Sequence, residues 1–225
     1  MSMLTTQSFE IQARKMVATQ LRGRGIRDER VLEAMLHVPR QEFVPSSLVS
    51  EAYDDRPLPI GEHETISQPY IVAAITQAAR VAPGEKALEI GGGSGYQAAI
   101  LAHLGATVWM IEINPRLAES ARKRLKLLGY NQVEVLVGDG SEGLAAHAPY
   151  DVVIVSAATP SVSPVLLDQL AEGGRLVAPV GNLHYQDLVL LTKQGGQILT
   201  QYLDPCQFVP LIGKGGWPEE QGFRS

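Results

Sequence analysis

The sequence predicts an α/β protein built on a doubly wound sheet, and three observations indicate this fold. Short apolar segments recur between residues 86 and 180, and segments with helical spacing separate them. The first apolar segment runs into Gly91-Gly92-Gly93-Ser94-Gly95, a turn typical of strand-to-helix connections in ligand-binding parallel sheets. The last two apolar segments flank Gln194-Gly195-Gly196, which predicts a hairpin. We therefore expect a mixed sheet of about seven strands that ends in this hairpin.

Ahead of the sheet, the spacing predicts three helices with recognisable start signals. A serine or an aspartate can cap the first two, and a proline occupies the first position of the third. These helices cover residues 9–24 after Ser8, the segment between Asp28 and Pro39, and residues 69–80 from Pro69. The prolines from 39 to 69 predict extended chain before the third helix. We expect residues 8–80 to form a helical segment that precedes an α/β core at 84–213.

Within this core, predicted strands and helices alternate regularly. Asn114 as a cap and Pro115 at the first helical position mark the best-defined helix start. The predicted strands are 86–90, 107–111, 132–137, 151–155, 175–180, 188–192 and 198–202, and the predicted helices are 96–104, one from Pro115, and 164–170. We expect 1–213 to be a single domain and the polar, glycine-rich residues 214–225 to be a flexible tail.

Composition argues against several classes of partner. The chain has 225 residues and a formal net charge of -5, which argues against nucleic acid or an anionic membrane. Its single cysteine, Cys206, excludes an internal disulfide bond and suits a reducing compartment. No apolar segment approaches the ~20 residues of a membrane helix, and the N-terminal residues do not follow a signal-peptide pattern. The scattered histidines have no metal-ligand spacing. We expect a cytoplasmic monomer without a metal.

The glycine turn predicts a nucleotide-like ligand, and neighbouring residues narrow its chemistry. Tyr96 stands where a dinucleotide fingerprint counted from Gly91 needs its last glycine, and no Gly-Lys-Ser/Thr follows as in a P-loop. Acidic residues lie instead where three predicted strands end, at Glu89, Glu112 and Asp139. Carboxylates suit a ligand with an ammonium, a sulfonium and a ribose diol, which describes S-adenosylmethionine. The alternative is a tight strand-to-helix turn that binds no ligand.

The segment Thr65-Ile66-Ser67-Gln68-Pro69-Tyr70 is the second candidate feature. Ser67 lies just before Pro69, where its side chain is well placed to cap the third helix. The same hydroxyl would be useful if it faced the crevice of the methyl donor. Spacing alone does not choose between these two interpretations.

Patterns of other enzyme classes are weak. No G-x-S-x-G elbow of a serine hydrolase occurs. The predicted strand 151–155 runs into Ser156-Ala157-Ala158-Thr159-Pro160, which lacks the amide and aromatic ring of motifs that methylate exocyclic amines. Pro205-Cys206 matches the nucleophile pair of carbon-5 methylation, but it lies beside the final strand. We expect that pair to lie away from the crevice, so methylation of a nucleic-acid base is a weak alternative.

Several segments together resemble the protein-L-isoaspartate O-methyltransferases. The similarity extends from about residue 14 to 213 and includes segments outside the generic methyltransferase core. These segments are Met16–Gly25, Arg40–Pro45, Asp55–Tyr70, Leu88–Leu101, Val137–Gly140, Gly173–Gly181 and Phe208–Gly213. The resemblance implies a Rossmann-like, S-adenosylmethionine-dependent methyltransferase fold. It also implies methyl transfer to the free α-carboxylate of L-isoaspartyl residues in damaged proteins or peptides, which initiates repair through a succinimide.

The resemblance implies roles for the candidate residues. Ser67 would be the catalytic residue near the substrate carboxylate, and Glu112 would hold the ribose hydroxyls. The glycines of the turn would let the methionine part approach, and Asp139 with Gly140 would lie by the adenine. Together with the strand-end Glu89, the expected cofactor-binding residues are Glu89, Gly91, Gly93, Gly95, Glu112, Asp139 and Gly140.

Two departures and two alternatives accompany this resemblance. Gly92 stands where the family usually has Thr or Ser, and Gln207 stands where many bacterial members have a basic residue. The chain could instead methylate a normal aspartate in one dedicated peptide. It could also be a non-catalytic relative that only binds S-adenosylmethionine.

Overall fold

The computed structural model describes residues 3–218 and the side chains of residues 7–218. Its α-helices are α1 (Met3–Met16), α2 (Glu29–His37), α3 (Pro69–Ala79), α4 (Tyr96–His103), α5 (Pro115–Leu127) and α6 (Pro164–Asp168). Its strands are β1 (Leu58–Gly61), β2 (Glu64–Ile66), β3 (Lys86–Ile90), β4 (Thr107–Glu112), β5 (Val133–Val137), β6 (Tyr150–Val155), β7 (Leu170–Gly181), β8 (Gln186–Gln194) and β9 (Gln197–Cys206).

The main sheet has seven strands in the order β5-β4-β3-β6-β7-β8-β9. The pairs from β5 through β7 are parallel, and the pairs β7–β8 and β8–β9 are antiparallel. This topology confirms the predicted doubly wound mixed sheet with a terminal hairpin. The strand order reverses at β3, which lies between β4 and β6. Open α/β sheets bind ligands beyond the carboxyl ends of strands at such a switch point.

The sheet separates two apolar cores, and β3 is buried on both faces. Ala87 packs in the core that contains Met35 of α2 and Ile100 of α4. Leu88, the next residue, packs in the opposite core with Leu166 of α6. A shift of one residue would exchange these two faces, so packing fixes the register of β3. The glycine turn at its carboxyl end therefore has a defined position.

The N-terminal helix is longer than the sequence analysis predicts. Helix α1 begins at Met3 and continues into a π-helical turn at Val17–Leu21 and a 3-10 turn at Arg22–Arg24. Ser8 therefore lies inside the helix, where its Oγ accepts a hydrogen bond from Gln12, and its predicted role as N-cap is wrong. The chain before Ser8 contains no proline or glycine that would stop the helix from starting earlier.

The next two helix starts have different outcomes. Asp28 caps α2 as predicted and accepts a hydrogen bond from the backbone N–H of Arg30 at 2.9 Å. Helix α3 begins at Pro69 as predicted, but its N-cap residue is Gln68 and no side chain makes a cap hydrogen bond. The interpretation of Ser67 as a helix cap is therefore wrong, which leaves its hydroxyl for another use.

A small antiparallel hairpin, β1–β2, replaces part of the extended chain predicted before Pro69. Its strands are short, and Pro59 lies within the first of them. Its turn places Glu62 and His63 at positive φ angles of 52° and 63° without a glycine. Neither a clear strand pattern nor the usual central turn residues are present, so no local signal predicts this hairpin.

Strand β7 is also longer than predicted, because Gly173 and Gly174 form a bulge instead of a turn. Tyr150 pairs with Leu170, whereas Val152 pairs with Arg175, so extra residues leave the ladder between these pairs. Gly173 has a φ of +78°, which favours glycine in this bulge. The predicted strand at 175–180 is thus the second part of one strand that starts at Leu170.

Candidate active site

The glycine turn between β3 and α4 combines open backbone with close packing. Gly91, Gly93 and Gly95 have φ angles of +76°, +51° and +84°, a region that favours glycine. A Cβ on Gly91 would make ordinary contact with Ala157 at 3.5 Å. A Cβ on Gly95 would come within 3.1 Å of Leu125 on α5, so this glycine also serves helix packing. Gly91 and Gly93 are half-buried, and a Cβ on Gly93 would come within 3.3 Å of Ile60, whereas Gly95 holds α4 against α5.

Glu112 ends β4 beside this turn and is 5% exposed. Its Oε2 accepts a hydrogen bond from the backbone N–H of Gly93, and its Oε1 accepts one from the N–H of Asn114, both at 2.8 Å. Each carboxylate oxygen can accept a second hydrogen bond. The donor set thus holds the carboxylate in place and leaves lone pairs that fit the hydroxyls of a ribose diol.

Glu89 lies one residue before the end of β3 and is 1% exposed. Its Oε1 accepts a hydrogen bond from Ser156 Oγ at 3.1 Å, and its Oε2 is buried without a partner among the described residues. Burial raises the pKa of Glu89 to about 8, although the hydrogen bond from Ser156 opposes this change. An unpaired, buried carboxylate oxygen that faces a cavity fits an ammonium group.

Glu64 on β2 is an acidic residue that the sequence analysis did not select. Burial, and secondly the charge of Glu112, raise its pKa to about 7. Because β2 was not predicted, no sequence signal related Glu64 to the acids at the strand ends. Glu64 is therefore close enough to Glu112 for their charges to interact.

Asp139 and Gly140 follow β5, and contacts within the chain hold both in place. Asp139 accepts hydrogen bonds from the backbone N–H groups of Ser141 and Lys214, both at 2.9 Å. Burial alone would raise the pKa of Asp139, but a hydrogen bond with the Ser141 side chain, the two backbone bonds and the charge of Lys214 together lower it. A Cβ on Gly140 would come within 2.9 Å of Ile90, so core packing requires this glycine. Neither residue lines the two cavities described below.

The start of the expected tail is part of this structure. The N–H of Gly215 donates to Ser141 Oγ at 2.9 Å, and the N–H of Trp217 donates to the carbonyl of Leu211 at 2.7 Å. Residues 214–218 therefore fold back over the end of β5, and the boundary expected after Gly213 falls within a hydrogen-bonded turn. Residues 219–225 lie outside the described part of the chain.

Two cavities meet at Ser67. The smaller one, of about 40 Å³, lies against the glycine turn and includes Glu89 in its wall. The larger one, of about 830 Å³, lies between α3 and the end of β9. Thr65, Ser67 and Ser156 line both cavities. Ser67 is half-buried, and its hydroxyl makes no hydrogen bond to the described residues, so it is available to a ligand at this junction.

The larger cavity has charged and aromatic groups at its wall. The guanidinium carbon of Arg24 lies 3.6 Å above the ring of Tyr70, and the Tyr70 hydroxyl donates to Asp204 at 2.6 Å. The other lining residues include several from the segment that follows β9: Gln207, Phe208, Val209 and Pro210. A cavity with such a mixed lining suits an extended, partly polar ligand.

Cys206 lines this larger cavity but not the smaller one at the glycine turn, so it lies away from that crevice as expected and still borders the second cavity. Strand β9 ends at Cys206 and thereby brings the Pro205-Cys206 pair to the wall that Ser67 shares. Burial, and then the charges of Asp187 and Asp204, raise the pKa of Cys206 to about 12. A thiol at neutral pH is a poor nucleophile, which argues against carbon-5 methylation.

Among residues 3–218, no group of three or more His, Cys, Asp or Glu side chains is arranged to hold a metal ion. None of the helices described there has the length and apolar character that crossing a membrane requires.

Known proteins resemble this chain over almost its whole length. A sequence model described as protein-L-isoaspartate(D-aspartate) O-methyltransferase matches residues 12–216. The protein-L-isoaspartate O-methyltransferase of Koribacter versatilis is 53% identical over 209 residues, which are 93% of this chain and 94% of that protein. The one of Methanoculleus marisnigri is 53% identical over 206 residues, 92% and 94% of the two chains. A solved protein-L-isoaspartate O-methyltransferase, 31% identical, superposes with a TM-score of 0.81 over 90% of this chain and 66% of its own. The chain belongs to the protein-L-isoaspartate(D-aspartate) O-methyltransferase family.

Proposed function

We propose that this protein transfers a methyl group from S-adenosylmethionine to the free α-carboxylate of L-isoaspartyl residues in damaged proteins or peptides. The methyl ester then closes to a succinimide, which reopens partly to normal aspartate. The observation that carries the proposal is the position of Ser67, where the cavity of the glycine turn meets a larger cavity. Membership of the family and the 53% identity to two of its members support the same reaction.

We assign the smaller cavity and its surroundings to S-adenosylmethionine, which supplies an electrophilic methyl group when it is bound. Gly91 and Gly93 leave room for the methionine part, and the free oxygen of Glu89 fits its ammonium. The carboxylate of Glu112 has lone pairs left for the ribose hydroxyls. Gly95 supports the turn, and Asp139 with Gly140 would border the adenine from the end of β5.

The larger cavity is assigned to the isoaspartyl peptide. A carboxylate with a pKa of about 4 is already ionised at neutral pH, so the reaction needs no strong base in this site. The Ser67 hydroxyl donates a hydrogen bond to one carboxylate oxygen and leaves the other free to attack. Its task is therefore orientation, and the walls that the two cavities share help to exclude water from the reacting atoms.

The test is Ser67→Ala, with Ser50→Ala as a control for an exposed serine outside both cavities. We expect kcat/KM for an isoaspartyl peptide to fall by about 10- to 100-fold, the effect of one lost hydrogen bond to a charged group. The affinity for S-adenosylhomocysteine, measured by calorimetry, stays unchanged. Full activity in Ser67→Ala would refute the role assigned to Ser67.

The same assay distinguishes the alternatives if it includes a control peptide of the same sequence with normal aspartate in place of isoaspartate. Methylation of the aspartyl control peptide alone would favour a dedicated substrate with normal aspartate. Binding of S-adenosylhomocysteine without methylation of either peptide would favour a non-catalytic relative.

We also propose that the protein acts as a monomer in the cytoplasm, where its single Cys206 suits reducing conditions. Light scattering in solution tests the monomeric state.

A further inference from the structure

Arg40 is a fully buried arginine that touches the catalytic segment. It begins the 3-10 turn at Arg40–Phe43 and is 0% exposed. Its Nε donates to the carbonyl of Ala52, and its Nη2 donates to the carbonyl of Ser67, both at 2.7 Å. Its guanidinium carbon lies 4.9 Å from the centre of the Tyr96 ring. The guanidinium thus connects the backbone behind Ser67 to the first turn of α4.

The charge of Arg40 has no anionic partner in the described part of the chain. No ion pair to a described carboxylate involves it, and its Nη1 is buried without any hydrogen-bond partner. A charge removed from water is costly unless a partner of opposite sign compensates it. An arginine remains protonated in a protein even though burial lowers the pKa of Arg40. The interior behind Ser67 therefore carries an uncompensated positive charge.

A partly buried arginine, Arg175, provides the contrast to the fully buried Arg40. It also donates to two backbone carbonyls, those of Ala79 and Arg80. In addition, it pairs with Glu85 at 2.8 Å, and its side chain is 12% exposed. The two arginines thus make similar backbone contacts, but only Arg175 has a carboxylate within the protein.

We propose that Arg40 is a positioning residue whose missing anionic partner is the carboxylate of the substrate at Ser67. It holds the Ser67 backbone through its Nη2 and attracts the substrate carboxylate through the buried interior, where charges interact more strongly than in water. This inference rests on the proposed function. It also states which property of the substrate is recognised, namely a free negative charge next to Ser67.

The positive charge should act mainly on binding. It stabilises the carboxylate before reaction as well as during it, so its loss raises KM more than it lowers kcat. A peptide in which the isoaspartyl carboxylate is replaced by its neutral carboxamide lacks the recognised charge. Wild-type protein should therefore bind the carboxylate peptide better than the carboxamide peptide, and a variant without the charge should not.

The experiment compares Arg40→Met, Arg40→Lys and the matched control Arg175→Met. We expect Arg40→Met to raise KM for the isoaspartyl peptide by about 10- to 30-fold, as for a charge pair at moderate effective dielectric. It should also lose the preference over the carboxamide competitor. Arg40→Lys, which keeps the charge, should restore most of this preference. Arg175→Met should lower the melting temperature and leave both KM and the preference unchanged.

Several results would overturn the inference while leaving the proposed function intact. One is an unchanged KM in Arg40→Met, and another is equal weakening of the carboxylate and carboxamide peptides. If Arg40→Met does not fold, Arg40→Lys provides the test by itself. This variant keeps the positive charge, so complete loss of its preference for the carboxylate peptide over the carboxamide peptide would contradict the proposal. In every folded variant, the dissociation constant of S-adenosylhomocysteine should stay within about twofold of wild type, since Arg40 itself lines neither cavity. Failure of the proposed function is recognised separately, because the wild-type protein would then not methylate the isoaspartyl peptide.

Discussion

Gly92, the residue that departs from the family pattern in the glycine turn, makes a sharp prediction about packing. A Cβ built on Gly92 would lie 2.3 Å from Cγ and 2.5 Å from Sδ of Met110. Met110 lies on β4 and is 0% exposed. The side chain of Met110 thus fills the space that a Thr or Ser at position 92 would need. We therefore expect Gly92→Ala to be destabilising and Met110 to be the reason.

The size of this effect follows from overpacking. An added methyl group in a well-packed interior typically costs about 1–3 kcal/mol of the free energy of unfolding. For a chain of this size, a loss of about 2 kcal/mol lowers the melting temperature by about 4–8 °C. Met110→Ala alone removes buried methylene groups and costs about 2–5 kcal/mol. It also empties the space next to Gly92, so Gly92→Ala should cost almost nothing more in that background.

Thermal unfolding of the wild type, the two single variants and the double variant measures this coupling. Gly138→Ala is a suitable control, because its Cβ would meet no atom within 4 Å. Gly138→Ala should leave the melting temperature nearly unchanged. Since Gly92 lines the smaller cavity, Gly92→Ala should also weaken binding of S-adenosylhomocysteine. If Gly92→Ala lowers the free energy of unfolding equally in the wild-type and Met110→Ala backgrounds, the clash with Met110 is refuted.

Two further predictions concern charges and the end of the chain. Because burial raises the pKa of Glu89 from 4.5 to about 8, the folded protein without ligand binds more protons than the unfolded chain between these values. Its free energy of unfolding should therefore fall as the pH rises from about 5 to 8. Urea unfolding at several pH values should show a weaker pH dependence for Glu89→Gln. An unchanged pH dependence in this variant would contradict the raised pKa of Glu89. Truncation after Gly213 removes the N–H donors of Lys214 and Gly215 from Asp139 and Ser141. Calorimetry should show that truncation after Gly213 weakens S-adenosylhomocysteine binding by about tenfold, whereas truncation after Pro218 should not weaken it. Equal affinities of the two truncated proteins would show that the turn at residues 214–218 does not support the site.

The elements that the sequence predicted well have local causes. Asn114 and Pro115 start α5 as expected, because a cap and a pre-set backbone angle act within one turn. Strand β3 and its glycine turn were also recognisable, since a buried strand and glycines at positive φ leave a direct pattern. The bulge at Gly173 was misread as a turn, because glycines mark both structures and only the pairing with β6 distinguishes them.

The candidate site was only partly predictable, because many of its contacts join distant segments. The sequence could place Glu89 and Asp139 at strand ends, but it could not predict the backbone N–H of Lys214 that donates to Asp139. It could select Ser67, but the choice between capping and exposure to a ligand depended on the β1–β2 hairpin and on Arg40, 27 residues away. The contacts that decide these roles are set by tertiary packing, and no local pattern records them.

The two cavities at Ser67 differ in how their walls are built, and this difference explains which half of the function the sequence revealed. The smaller cavity is formed largely by one strand, its turn and the following helix, so a short continuous segment from Glu89 to Gln97 contributes much of its wall. The larger cavity combines residues from the N-terminal helical region, from α3 and from the segment after β9. Because these segments meet only in the folded protein, recognition of the peptide leaves no compact motif. The methyl donor could therefore be inferred from residue chemistry, whereas the methyl acceptor could be inferred only from the resemblance to a family.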